Sequence, residues 1–107
     1  MYQYSFEKLE VWQLSIEFVK DIYNLTKTFP VEEKFCLVSQ INRAVVSIPS
    51  NIAEGTSRNS GKDKAHFMNI AYGSTMELLT QLIISKELGY IDNESYNSPD
   101  FVGLLIF

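Results

Sequence analysis

The stretch RAVVSIPSNIAEGTSR, residues 43–58, places short hydrogen-bonding side chains at helical spacing on both sides of a proline. Gln40, Arg43, Ser47, Asn51 and Glu54 follow one another at steps of three or four residues and so share one face of a helix. Solvent-facing helices usually carry Lys and Glu. Amide, hydroxyl and guanidinium groups offer directional bonds that suit a half-buried contact with another helix or subunit. A solvated polar face is the competing reading of the same spacing. A second constellation is cationic: Arg43, Arg58, Lys62 and Lys64 lie close in sequence and are the candidates for contact with phosphate groups.

Residue sets that do covalent or metal chemistry are missing. His66 is the only histidine, flanked by Ala65 and Phe67, with no spaced partner for a triad or a metal site. Cys36 is the only cysteine, so no disulfide forms within the chain, and its apolar surroundings make it a core residue. Glu54 and Glu77 are the carboxylates placed to meet inside a bundle, but the Glu-x-x-His motif of di-iron bundles is missing. Without strands there is no glycine-rich phosphate loop. The expectation is a protein that is not an enzyme, with no catalytic residue, no metal ligand and no cofactor.

The charge distribution supports an anion-binding middle. The whole chain carries a formal net charge of -4, yet residues 34–64 hold five basic and two acidic side chains between two acidic flanks. A local excess of this kind marks either a face that meets anions or ordinary solvated surface.

The elements that must position these groups are helices. At 107 residues and 46% apolar the chain is one domain, residues 1–107, with one modest core. From Leu9 to Phe29 two apolar stripes run at helical spacing, one through Trp12, Ile16, Val19 and Tyr23, the other through Val11, Leu14, Phe18, Ile22, Leu25 and Phe29. A helix with two apolar sides is either central to its domain or covered by a second subunit. Trp12 and Phe18 are therefore candidate subunit contacts. Pro30 reads as the first-turn proline of the next helix, with Glu32 and Glu33 favoured by its dipole.

In the second helix, Leu37, Ile41, Val45, Ile48 and Ile52 keep one phase across Pro49, which predicts a single helix kinked at the proline. A fresh helix starting at Pro49, or a capping box of Asn51 with Glu54, competes but leaves too few residues before Gly55. Gly55 and the turn formers TSRNSG then end the helix. A third helix is expected from Ser60, an N-cap with Asp63 three residues on, to just before Gly89. Phe67, Ala71, Ser74, Leu78 and Leu82 share its core face, and Ala71, Gly73 and Ser74 offer a small patch for close helix approach. Ser98 and Pro99 start a short last helix carrying Phe101, Leu104 and Leu105. The expected fold class is all-α, an antiparallel up-and-down four-helix bundle with a kinked second helix and a short fourth one. No apolar run suits a membrane span and no signal peptide is evident, so a cytoplasmic location with no membrane partner is expected.

The blocks FEKLEVWQ, IYNLTKTFP, SQINRAVVSIPSNIAEGTSR, FMNIAYGSTMELLTQL and LGYI, in this order, resemble the four-helix-bundle proteins encoded within intervening sequences of bacterial 23S rRNA genes. That family is similar to the accessory protein of diversity-generating retroelements. The resemblance implies a non-enzymatic antiparallel bundle assembled into a five-membered ring. For the retroelement relatives it further implies binding of nucleic acid and of a reverse transcriptase through basic surfaces. Arg43, Asn51, Glu54, Gly55 and Arg58 stand at the family's motif positions. The expected partners are thus further copies of the chain, a pentamer being favoured, then RNA or DNA, and a reverse transcriptase or other nucleic-acid enzyme. A structural or protein-interaction bundle without nucleic-acid contact is the alternative.

Overall fold

The computed structural model describes residues 3–92, and all long elements among them are α-helices: α1 (Glu10–Thr26), α2 (Leu37–Ser57) and α3 (Gly61–Glu87). A single 3-10 turn, Ser5–Lys8, precedes α1, and another, Val31–Glu33, lies between α1 and α2.

The end of α1 is written in its hydroxyls. Thr26 and Thr28 donate to the carbonyls of Tyr23 and Leu25, at 3.2 and 2.7 Å, and the backbone N–H groups of Thr28 and Phe29 bond three residues back. Tightening of this kind closes a helix. Pro30 does not open the second long helix, which corrects the sequence expectation. It precedes only the 3-10 turn, a geometry that does not propagate beyond a few residues, and Cys36 then leaves helical dihedrals (φ -118, ψ -104) before α2 starts at Leu37. Cys36 is exposed rather than in the core, because it sits at this break and not on the α2 stripe.

The phase argument for α2 holds, since the helix is continuous through Pro49. Ile41, Val45, Ile48 and Ile52 are all fully buried, and each such side chain stabilises the fold by about 1.5–3 kcal/mol relative to exposure. That gain offsets the carbonyl of Val45, which Pro49 cannot serve as a donor. The next two carbonyls take side-chain donors, Val46 from Ser50 at 2.9 Å and Ser47 from the Asn51 amide at 2.8 Å.

Gly55 does not end α2, which corrects the sequence expectation; it lies inside the helix, buried. A Cβ placed there would meet the Cβ of Phe67 at 3.1 Å, the carbonyl oxygen of Lys64 at 3.3 Å and the Met68 methyl at 3.3 Å. The glycine suits the close approach of α3 rather than a left-handed turn. Gly73 behaves in the opposite way: it is exposed, with nothing within 4 Å of an added Cβ, so it serves no helix contact among the described residues.

The start and stop of α3 follow the sequence reading. Ser60 accepts a bond from the Asp63 N–H at 3.1 Å, and Gly89 adopts φ +81 beyond the last turn. Its N–H bonds the Lys86 carbonyl and that of Tyr90 bonds the Ser85 carbonyl, at 3.0 and 2.9 Å, the Schellman closure that a glycine permits. Ser47 meets Ser74, whereas Gly55, further along α2, meets residues 64–68, so α2 and α3 run antiparallel.

α2 is the central element, packed against α3 on one side and α1 on the other. The core joins Phe18 and Ile22 of α1, Ile41, Val45, Ile48 and Ile52 of α2, and Ala71, Leu78 and Leu82 of α3. Phe18, at 3% exposure, belongs to this core. The apolar sides of α1 are only partly covered among the described residues, since Leu14 is 63% and Tyr23 41% exposed. Val11, Trp12, Val19 and Leu25 pack on the core, and Phe6 folds back to lie 5.2 Å from the Trp12 ring. The predicted short helix with Phe101, Leu104 and Leu105 lies outside the described residues.

Candidate functional site

The polar stripe of α2 divides into three parts. Near its middle, Ser47 and Asn51 are half-buried: the Asn51 amide reaches the Ser47 hydroxyl at 2.9 Å, and that hydroxyl shares a bond with Ser74 of α3 at 2.8 Å. This small network ties the two helices together where Pro49 weakens the backbone ladder. At its end, Glu54 pairs with Arg58 one turn on, at 3.0 Å, with the two side chains 53% and 45% exposed. At that exposure the pair contributes below about 1 kcal/mol. At its start, Gln40 and Arg43 face solvent.

The four candidate phosphate contacts are likewise not one patch. Arg58, Lys62 and Lys64 gather at the turn between α2 and α3, where all three are exposed. Arg43 is roughly 22 Å of helix rise from Arg58 and belongs to a different part of the surface. Arg58 is held in place as well as charged, since its guanidinium lies 4.8 Å from the centre of the Phe67 ring while it donates to Glu54. A guanidinium stacked on an aromatic face keeps its outer N–H groups aimed at solvent. Lys62 and Lys64 add exposed positive charge in the first turn of α3, with the acidic Asp63 between them, whose backbone N–H bonds the Ser60 cap. The end of the α2–α3 hairpin thus carries three exposed cations, of which Arg58 is positioned by Glu54 and Phe67.

His66 touches Phe67 edge to face at 5.2 Å, and among the described residues no three His, Cys, Asp or Glu side chains converge as metal ligands. No helix among them is long and apolar enough to cross a membrane.

Sequence spacing places Phe67 and Ser74 on the core face of the third helix, and Ser74 in its small patch, but not in the polar contacts they make; the Ser74 hydroxyl acquires its role because Ser47 lies opposite it. The outward face of α3 had a legible signal: between Lys64 and Lys86 the only formally charged residue is Glu77. Tyr72, Met76, Ile83 and Ile84 are exposed on that helix beside the open Gly73. Thr75 and Ser85 are buried because their hydroxyls bond carbonyls one turn back, at 2.9 and 2.7 Å. Gln81, 5% exposed, donates to Glu77 at 3.2 Å, and its carbonyl oxygen has no partner among the described residues.

No curated protein matches the chain. The family model described as 23S rRNA-intervening sequence protein matches residues 7–100, which contain α1, α2, α3 and the whole polar stripe, and the chain belongs to that family.

Proposed function

We propose that this protein is a non-enzymatic helical scaffold that assembles with copies of itself, as a pentameric ring, and holds nucleic acid or a nucleic-acid enzyme such as a reverse transcriptase. The observation that carries the reading is the cluster of Arg58, Lys62 and Lys64 on one turn, with Arg58 fixed by Glu54 and Phe67. One such turn binds a polyanion weakly. Several copies around a ring bind with avidity that no single turn has.

Self-association is supported by the outward face of α3, where Tyr72, Met76, Ile83 and Ile84 are exposed with almost no charge among them. Larger exposed apolar patches mark interaction surfaces. The reading includes the likeness to the accessory protein of diversity-generating retroelements, an antiparallel four-helix bundle, a bend at Pro49 and a cytoplasmic location.

The net charge of -4 favours a second reading, a structural or protein-interaction bundle without nucleic-acid contact. Salt separates the two. Retention of RNA or DNA by the wild-type chain should fall steeply as salt rises, and Arg58→Glu with Lys62→Glu and Lys64→Glu should abolish it while light scattering shows the same assembly. Wild-type protein that retains neither at low salt leaves the second reading.

A further inference from the structure

A second surface lies at the opposite end of α2 from the basic turn. There a cleft of about 340 Å³ opens between the last turn of α1, the 3-10 turn and the first turns of α2. Its apolar walls come from Tyr23, Phe29, Val31 and Val38. Its polar edge is the pair Thr26 and Asn42, whose side-chain oxygens are 3.1 Å apart. Lys27 and Lys34 are its only charged lining residues among those described, and both are exposed.

The surroundings extend the apolar surface outward. Val31 is 80% exposed and Phe35 is 85% exposed, with the Lys34 ammonium 5.5 Å from the Phe35 ring centre. Neither side chain contributes to the chain's core. The break at Cys36 keeps this segment off the α2 stripe and turns it to solvent. Glu32 and Glu33 stand on the same 3-10 turn, next to Val31 and Lys34, but do not line the cleft.

We propose that this cleft docks a segment of a partner protein, an aromatic or branched aliphatic anchor flanked by Asp or Glu. The volume is at the small end of ligand sites, which suits one large side chain rather than a bulky cofactor. The walls reward burial of apolar area, and the two lysines at the mouth select carboxylates beside the anchor over neutral or basic neighbours. Nucleic acid is the poorer fit, because two lysines release few counterions and the apolar walls have nothing to offer a phosphodiester backbone. The surface is remote from Arg58, Lys62 and Lys64, so this inference and the nucleic-acid reading succeed or fail separately.

The test is selection of phage-displayed random dodecapeptides on the full chain, with counter-selection on a Lys27→Glu, Lys34→Glu variant. The expected result is enrichment of an aromatic or aliphatic residue flanked by acidic ones. A synthetic peptide of the enriched sequence should bind about tenfold more weakly to the double variant, lose affinity with salt, and shift the NMR signals of Tyr23, Val31 and Val38. Both lysines are exposed, so the variant should keep its helical circular dichroism; if it does not, Lys27→Gln with Lys34→Gln gives the same comparison without charge reversal. Absence of any enriched motif, a neutral or basic motif, or equal binding by the lysine variants overturns the proposal. Enrichment of sequences resembling DFVGLL, residues 100–105 of this chain, would assign the cleft to the chain's own sequence, in the same or a second copy, and overturn a separate partner.

Discussion

Ser47 of α2 and Ser74 of α3 share a hydroxyl-to-hydroxyl bond of 2.8 Å at the seam of the hairpin, two residues before the proline that interrupts the α2 ladder. Asn51 closes the group from the other side of Pro49, bonding both the carbonyl and the hydroxyl of Ser47. The polar stripe therefore does two jobs inside one chain: it serves backbone next to the proline, and it fixes the rotation of α3 against α2.

The Ser47 and Ser74 hydroxyls should be energetically coupled. Either serine changed to alanine leaves a half-buried partner, and the two changes together should cost less than their sum, with a coupling of about 0.5–1.5 kcal/mol. Denaturant midpoints of the two single variants and the double variant measure it. Additive losses would mean that the bond contributes nothing to stability.

Gly55→Ala and Gly73→Ala should act in opposite directions. At Gly55 the new methyl must displace Phe67 or the Lys64 backbone, an overpacking cost of about 1–3 kcal/mol set against about 1 kcal/mol of helix propensity. At Gly73 the space is open, so alanine should raise the stability of the isolated chain by about 1 kcal/mol. Chemical unfolding measures both. If Gly73→Ala weakens self-association seen by light scattering while stabilising the chain, the outward face of α3 lies in the subunit contact.

Glu54→Ala should change the stability of a single chain by less than about 1 kcal/mol, because the ion pair with Arg58 is exposed. Glu17→Ala, which removes the exposed pair with Lys20, is the matched control. A larger effect of Glu54→Ala on subunit dissociation than of Glu17→Ala would place Glu54 at an interface, with Arg43 of another copy as the partner that in-chain distance forbids.

Alkaline pH should expose Tyr90. Partial burial, and then the carboxylates of Glu33 and Glu32, push its phenol above the ordinary tyrosine value. The folded chain holds this proton more tightly than the unfolded chain. Stability is therefore level below the ordinary tyrosine range and falls as pH climbs through the raised value, above about pH 10. Tyr90→Phe should make that alkaline decline shallower when denaturant midpoints are compared across pH. The same decline in both proteins would remove Tyr90 from the account.

Local and periodic information settled much of the architecture from the sequence. The stripe Ile41, Val45, Ile48 and Ile52 keeps one phase across Pro49, and phase alone requires that the helix continue. Ser60 with Asp63, and Gly89 at the other end, act within a few residues of themselves, so the limits of α3 were legible. The membership of the family was legible for the same reason, since its motif is a contiguous block around SIPSNIAEG.

Relations between helices were decided only in three dimensions. Gly55 reads locally as a helix stop, yet its purpose is set by how closely Lys64, Phe67 and Met68 approach. Trp12 and Phe18 read as members of two apolar stripes, and only the structure shows that Phe18 is buried in the core while Trp12 is half-buried beside Phe6. The cleft between Lys27 and Lys34 exists because a 3-10 turn and the break at Cys36 replace the helix that Pro30 seemed to begin. Spacing along a chain fixes which side chains share a face, whereas helix rotation, separation and the path of a turn fix what each face meets, and those depend on contacts between residues far apart in sequence.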